Sequence, residues 1–138
     1  MTSSEEYIEK LRKSGLRPTK QRIKICEVLF NTDKTFHFTI NDLVKIIEVK
    51  ANQKISLATV YNTVHAFEKK GYLKEIAINS SQTYYDTNTT EHHHFFDENQ
   101  KELIDLDDDD VQPIKIKKTI PGKKIKTVEV LVRVNSDI

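Results

Sequence analysis

Cysteine, glycine, proline and tryptophan are all scarce: the 138-residue chain has one, three, three and none of them. A lone cysteine, Cys26, excludes an intrachain disulfide and any structural zinc site built from four cysteines, so metal chemistry would have to use histidine and carboxylates. Three glycines are too few for a phosphate-cradling loop, and neither an HExxH helix nor a nucleophile elbow is present. A metal-dependent hydrolase, the enzyme class that clustered His and Asp residues could otherwise serve, is therefore disfavoured. No apolar run approaches the length of a membrane span. Residues 1–13 carry Glu5, Glu6 and Glu9 where a secretory signal would be apolar, so the expected address is cytoplasmic, with no membrane partner.

What is present is charge, unevenly placed. Charged residues make up 31% of the chain and hydrophobic ones 37%, with a formal net charge of +1. That profile belongs to a globular chain of one domain or two small ones. Residues 1–70 hold 13 Lys/Arg against 8 Asp/Glu, whereas residues 91–110 hold nine acidic side chains and one lysine, and residues 111–138 are basic again. A basic first half is a surface fit for a polyanion.

Hydrophobic periodicity predicts helices in that half. Ser3 or Ser4 is expected to cap a first helix that Gly15 ends, and Pro18 to open a second running to Phe30. Cys26 falls on the apolar side of that second helix, as a buried structural thiol would. Thr39 is expected to cap a third helix, with Ile40, Leu43, Val44 and Ile47 on one face, and Ser56 a fourth that reaches Lys70 before Gly71. On the fourth helix Leu57, Val60, Val64 and Phe67 share a face. Opposite them stand Ala58, Thr59, Asn62 and His65, with Tyr61 on the flank, a small and hydrogen-bonding surface suited to base edges. The runs Tyr72–Ile78 and Thr83–Thr87 read as a hairpin, whose Lys74 could reach phosphate. Three helices followed by a hairpin make a winged helix.

From Glu91 onward the pattern is that of a second unit. Strands are expected at His93–Phe96, Glu102–Leu106 and Lys124–Val134, and Asp107–Asp110 reads as a solvated turn. A small sheet seldom stands alone, so pairing with a second copy of the chain is expected. The fold class is α+β: a winged-helix DNA-binding domain over 1–87, a hinge at 88–91, and a small α/β dimerisation and ligand-sensing domain over 92–138. In extended chain His92 and His94 share one face while His93 points to the other.

Three stretches carry a resemblance to a known family. Residues 16–22 (LRPTKQR) resemble the entry into the second helix of Fur-family regulators, residues 56–63 (SLATVYNT) resemble their recognition-helix signature, and Glu91-His92-His93-His94 falls where that family places a His-rich segment. Within the family, residues 84–89 (YYDTNT) followed by residues 92–96 (HHHFF) resemble the iron- and heme-responsive Irr branch, which lacks CxxC zinc pairs as this chain does. The resemblance implies a homodimeric transcription regulator of iron or heme genes that binds an AT-rich interrupted repeat in double-stranded DNA. The candidate DNA contacts are Arg17, Lys20, Arg22, Ser56, Ala58, Thr59, Tyr61, Asn62 and Lys74.

Family placement further implies His37, Asp86, His94 and Asp105 as a regulatory metal site bridging the two domains, with His93, also a candidate metal ligand, serving a separate partner. His92, His93 and His94 are the candidate heme ligands. The implied cofactors are heme and/or Fe(II) or Mn(II), with heme expected to weaken DNA binding. Two departures stand out: Phe95 and Phe96 replace the acidic residue and histidine of iron-sensing relatives, and Cys26 is followed by Glu27 rather than by the proline of a Cys-Pro heme motif.

Overall fold

The computed structural model describes residues 4–136. The chain divides into two compact units, Met1–Thr89 and Thr90–Ile138.

The first unit begins with α1 (Ser4–Lys13), whose first turn carries Glu5 and Glu6 and whose last turn carries Lys10, Arg12 and Lys13. Both groups complement the helix dipole. Ser4 lies inside the helix, and Ser3 falls outside the described residues. Gly15 adopts φ 78°, and Leu16 N–H reaches back to Leu11 O at 2.8 Å, a left-handed helix stop that a side chain would strain.

Helix α2 (Lys20–Phe30) starts two residues later than Pro18, because the Thr19 side chain accepts from Arg22 N–H and is the cap. A two-residue strand, β1 (His37–Phe38), precedes α3 (Ile40–Lys50), which opens with a capping box between Thr39 and Asp42. Helix α4 (Leu57–Lys70) is capped by Ser56 and closed by left-handed Gly71. Strands β2 (Lys74–Asn79) and β3 (Gln82–Asp86) form the hairpin, and β1 adds antiparallel to β3, giving the sheet order β1-β3-β2.

All four helices contribute to one core, with Leu11, Ile25, Leu43, Ile47, Val60 and Phe67 fully buried. Leu57, expected on that buried face, is instead 55% exposed. It lies in the first turn of α4, on the rim of the packed helices rather than among the buried side chains.

The second unit is a three-stranded sheet, β5-β4-β6, from β4 (His93–Asp97), β5 (Glu102–Leu106) and β6 (Leu131–Val134). Strand β5 runs antiparallel to β4 and β6 runs parallel to it. The expected α/β character is corrected here: a 3-10 turn at Asp108–Asp110 is the sole helical element among the described residues of this unit. Pro113, Pro121 and the β-branched alternation of Ile114 and Ile116 all disfavour a helix. The expected strand from Lys124 is shorter as well, since residues up to Val130 lack a ladder partner in the β4-β6 pairing. Among the described residues no helix is long and apolar enough to cross a membrane.

Candidate DNA-reading helix and metal-ligating clusters

The N-terminal turn of α4 is built from its cap outward. Ser56 Oγ accepts from Thr59 N–H at 3.2 Å and donates to Thr59 Oγ1 at 2.9 Å. Thr63 Oγ1 then donates to Thr59 O at 2.8 Å and is itself buried. These bonds consume the hydroxyls that face the helix and leave Ala58, Tyr61 and Asn62 exposed. The Tyr61 ring stacks on His65, with centroids 5.7 Å apart and planes 8° from parallel, so His65 steadies Tyr61 rather than standing idle on the surface. Ala58, Tyr61 and Asn62 line a shallow depression with Leu57, Ile40 and Asn41.

A second depression joins the start of α2 to α4. Arg17, Thr19, Lys20, Gln21, Arg22 and Thr59 line it, and Arg22 Nη1 donates to Arg17 O at 2.9 Å, which fixes the turn between them. Three cations beside two helix N-termini offer both charge and unpaired backbone donors to a phosphate. The structure thus brings Arg17, Lys20, Arg22 and Thr59 together, whereas Lys74, half-buried at the start of β2, pairs across the hairpin with Asp86.

In the first unit, β1 places His37 directly across from Asp86. His37 Nε2 lies 3.1 Å from Asp86 Oδ2, and the carboxylate is 1% exposed. Its other oxygen accepts from Asn88 N–H at 2.8 Å. A carboxylate this deep needs compensating positive charge or several donors.

In the second unit, three side chains converge. His92 Nε2 lies 3.3 Å and His94 Nε2 3.5 Å from the same oxygen, Asp105 Oδ1, and one donor atom from each of the three falls within 4.8 Å of the others. Register explains the geometry, because His94 pairs with Asp105 across β4 and β5 and His92 lies two residues before His94. Thr90 O accepts from His92 Nδ1 at 2.7 Å, so the neutral ring presents its Nε2 lone pair to a carboxylate oxygen. Two such acceptors repel unless a proton or a cation lies between them. An imidazole–carboxylate set of this kind suits Mn(II), Fe(II) or Zn(II).

His93 points the other way, with Nε2 3.1 Å from Asp108 Oδ1, as strand alternation requires. Sequence places His92 and His94 on one face and assigns His92 to the heme ligands, and the spacing that puts the two on one face is also what brings His92 to Asp105. Phe96 is buried and Phe95 half-buried. Cys26 is fully buried and burial pushes its thiol up to about 12.

Known proteins share this architecture. A model of the ferric uptake regulator family matches residues 13–134. The peroxide operon regulator of Bacillus subtilis is 35% identical over 101 residues, spanning 73% of this chain and 68% of that protein. The peroxide-responsive repressor PerR of Staphylococcus epidermidis is 35% identical over 85 residues, which span 62% of this chain and 55% of that one. Among solved structures, the ferric uptake regulator from Pseudomonas aeruginosa with manganese superposes with a TM-score of 0.68 at 21% identity, covering 96% of this chain and 98% of that one.

Proposed function

Since the chain belongs to the ferric uptake regulator family of metal-responsive transcriptional regulators, we propose that it is a homodimeric repressor that places α4 in the major groove of an AT-rich interrupted repeat and answers to a divalent ion. The observation that carries the metal reading is the convergence of His92 and His94 on one oxygen of Asp105. Within the first unit His37 and Asp86 form a second imidazole–carboxylate pair, and donor sets of this kind suit Fe(II) or Mn(II).

The chain's own residues set the response. An ion held by either donor set would favour one conformation of the chain, and half-site geometry in a dimer tolerates little error in the spacing of the two recognition helices. Tyr61 and Asn62 then meet base edges, while Arg17, Lys20 and Arg22 meet phosphates.

The finer reading concerns the effector. Two relatives are named for peroxide response, and we infer that class of signal here, with Fe(II) as the resident ion. A thiol pushed up to about 12 and fully buried is not nucleophilic, so a peroxide signal would bypass Cys26. An Irr-like response to heme is the competing reading, carried by Phe95 and Phe96 beside the histidines. Each of the three histidines nevertheless contacts an aspartate, a setting that suits a bare cation better than a porphyrin.

Fluorescence anisotropy on an AT-rich inverted repeat tests the whole proposal. Mn(II) or anaerobic Fe(II) should tighten binding at least about tenfold. Hydrogen peroxide should release only the Fe(II)-loaded protein, and heme should do nothing. Indifference to any duplex at low ionic strength, with or without metal, overturns the DNA reading; release by heme in place of peroxide transfers the function to the Irr-like class.

A further inference from the structure

The middle histidine of the triplet, His93, has both ring nitrogens engaged. Val130 N–H donates to His93 Nδ1 at 3.0 Å, so the neutral ring carries its hydrogen on Nε2, which donates to Asp108 Oδ1 at 3.1 Å. The residue is 6% exposed.

Asp108 and Val130 are not arbitrary partners. They bound the long excursion between β5 and β6, in which Ile114, Ile116, Ile120 and Ile125 all stand exposed. Val130 is held at its other end too, because its carbonyl accepts from His94 N–H at 3.1 Å. One residue later β6 joins β4 with His94 opposite Leu131. The imidazole thus takes the place of a backbone acceptor, extending the parallel pairing by one rung and tying the two ends of the excursion to one ring.

We infer that His93 is a latch and not a metal ligand: it closes the 108–130 excursion and thereby sets the register of β6 against the strand that carries His94. Metal ligation at either nitrogen would break one of the two ties. A loop of this length has a closure cost that a buried, two-sided anchor offsets. The inference goes beyond the metal reading and holds whether or not the five donors bind an ion.

Hydrogen–deuterium exchange on the full chain tests it, with Mn(II) equilibrium dialysis in parallel. His93→Ala should speed exchange at Val130 and along β6 by about tenfold, the ratio one buried hydrogen bond sets. His93→Asn places an amide oxygen near the lost Nδ1 and should restore protection, whereas His93→Gln, which reaches only toward Asp108, should exchange like the alanine variant. Asp108→Asn still accepts from Nε2–H and should match the wild type. The number of Mn(II) ions bound per chain should be the same in all five proteins. Unchanged exchange in His93→Ala, failure of His93→Asn to restore protection, or a lost Mn(II) equivalent in any His93 variant overturns the latch. Helical circular dichroism verifies that each variant remains folded.

Discussion

Replacing Asp86 with Asn separates a ligand from a structural carboxylate, because the two roles move stability in different conditions. Asparagine keeps the shape of a side chain that is 1% exposed and can still accept from Asn88 N–H, a bond of 2.8 Å in the wild type. What it loses is a charge that faces His37 Nε2 at 3.1 Å and sits opposite Lys74 in the hairpin register. Without metal the change trades a charge-assisted bond for a neutral one, about 1 kcal/mol, or roughly 4–8 °C for a unit of this size.

With metal the loss is larger. Even changes behind a ligand weaken metal affinity about 10–100-fold, so removing an anionic ligand should reach at least the upper end. At a metal concentration about 100 times the wild-type Kd, binding stabilises the wild type by about 2.7 kcal/mol. The same concentration would stabilise a variant with hundredfold weaker affinity by only about 0.4 kcal/mol. Thermal melts with and without Mn(II) read the difference directly. An undiminished Mn(II)-induced shift in Asp86→Asn would refute the assignment of Asp86 as a ligand, whatever happens to the metal-free melt.

Other consequences are equally open to measurement. Tyr61→Ala and Asn62→Ala should each lower discrimination between the repeat and random duplex by about 1–3 kcal/mol, read by competition binding; unchanged specificity would remove α4 as the reader. Lys20→Ala should weaken binding to all duplexes alike and reduce the slope of log K against log salt by about 1. Cys26 should resist iodoacetamide at about pH 8 until the chain unfolds. Its thiol is held at about 12 in the folded chain against an ordinary 9.0, so the unfolded state releases its proton first. Stability from this group is therefore intact below about pH 9 and falls between about pH 9 and 12, which urea midpoints across that range will show.

The parts legible in the sequence were those with a local cause. Ser56, Thr39 and Gly71 declared the ends of α4 and α3 through capping chemistry that acts over three or four residues. Alternation along a strand put His92 and His94 on one side and His93 on the other, and the structure has them meeting Asp105 and Asp108 respectively. What escaped was non-local. The strand carrying His37 is two residues long and has no period to detect, so only the family resemblance pointed to this residue, and its pairing with β3 is what brings it to Asp86. The tail misled in the opposite direction: the valines from Val128 to Val134 alternate as a strand should, but strand pairing with β4 begins only at Leu131. Alternation reports a residue's preference, and pairing depends on where a neighbour ends.

The parallel pairing of β4 and β6 also orders events in time. The β4–β5 hairpin closes through the short connection 98–101, whereas the third strand of the sheet must be recruited from far downstream, and such non-local pairing is the slower step. During synthesis the helical unit is complete before either of those contacts can form. A nascent molecule therefore passes through a stage in which the helical unit is finished while the second sheet is still one strand short.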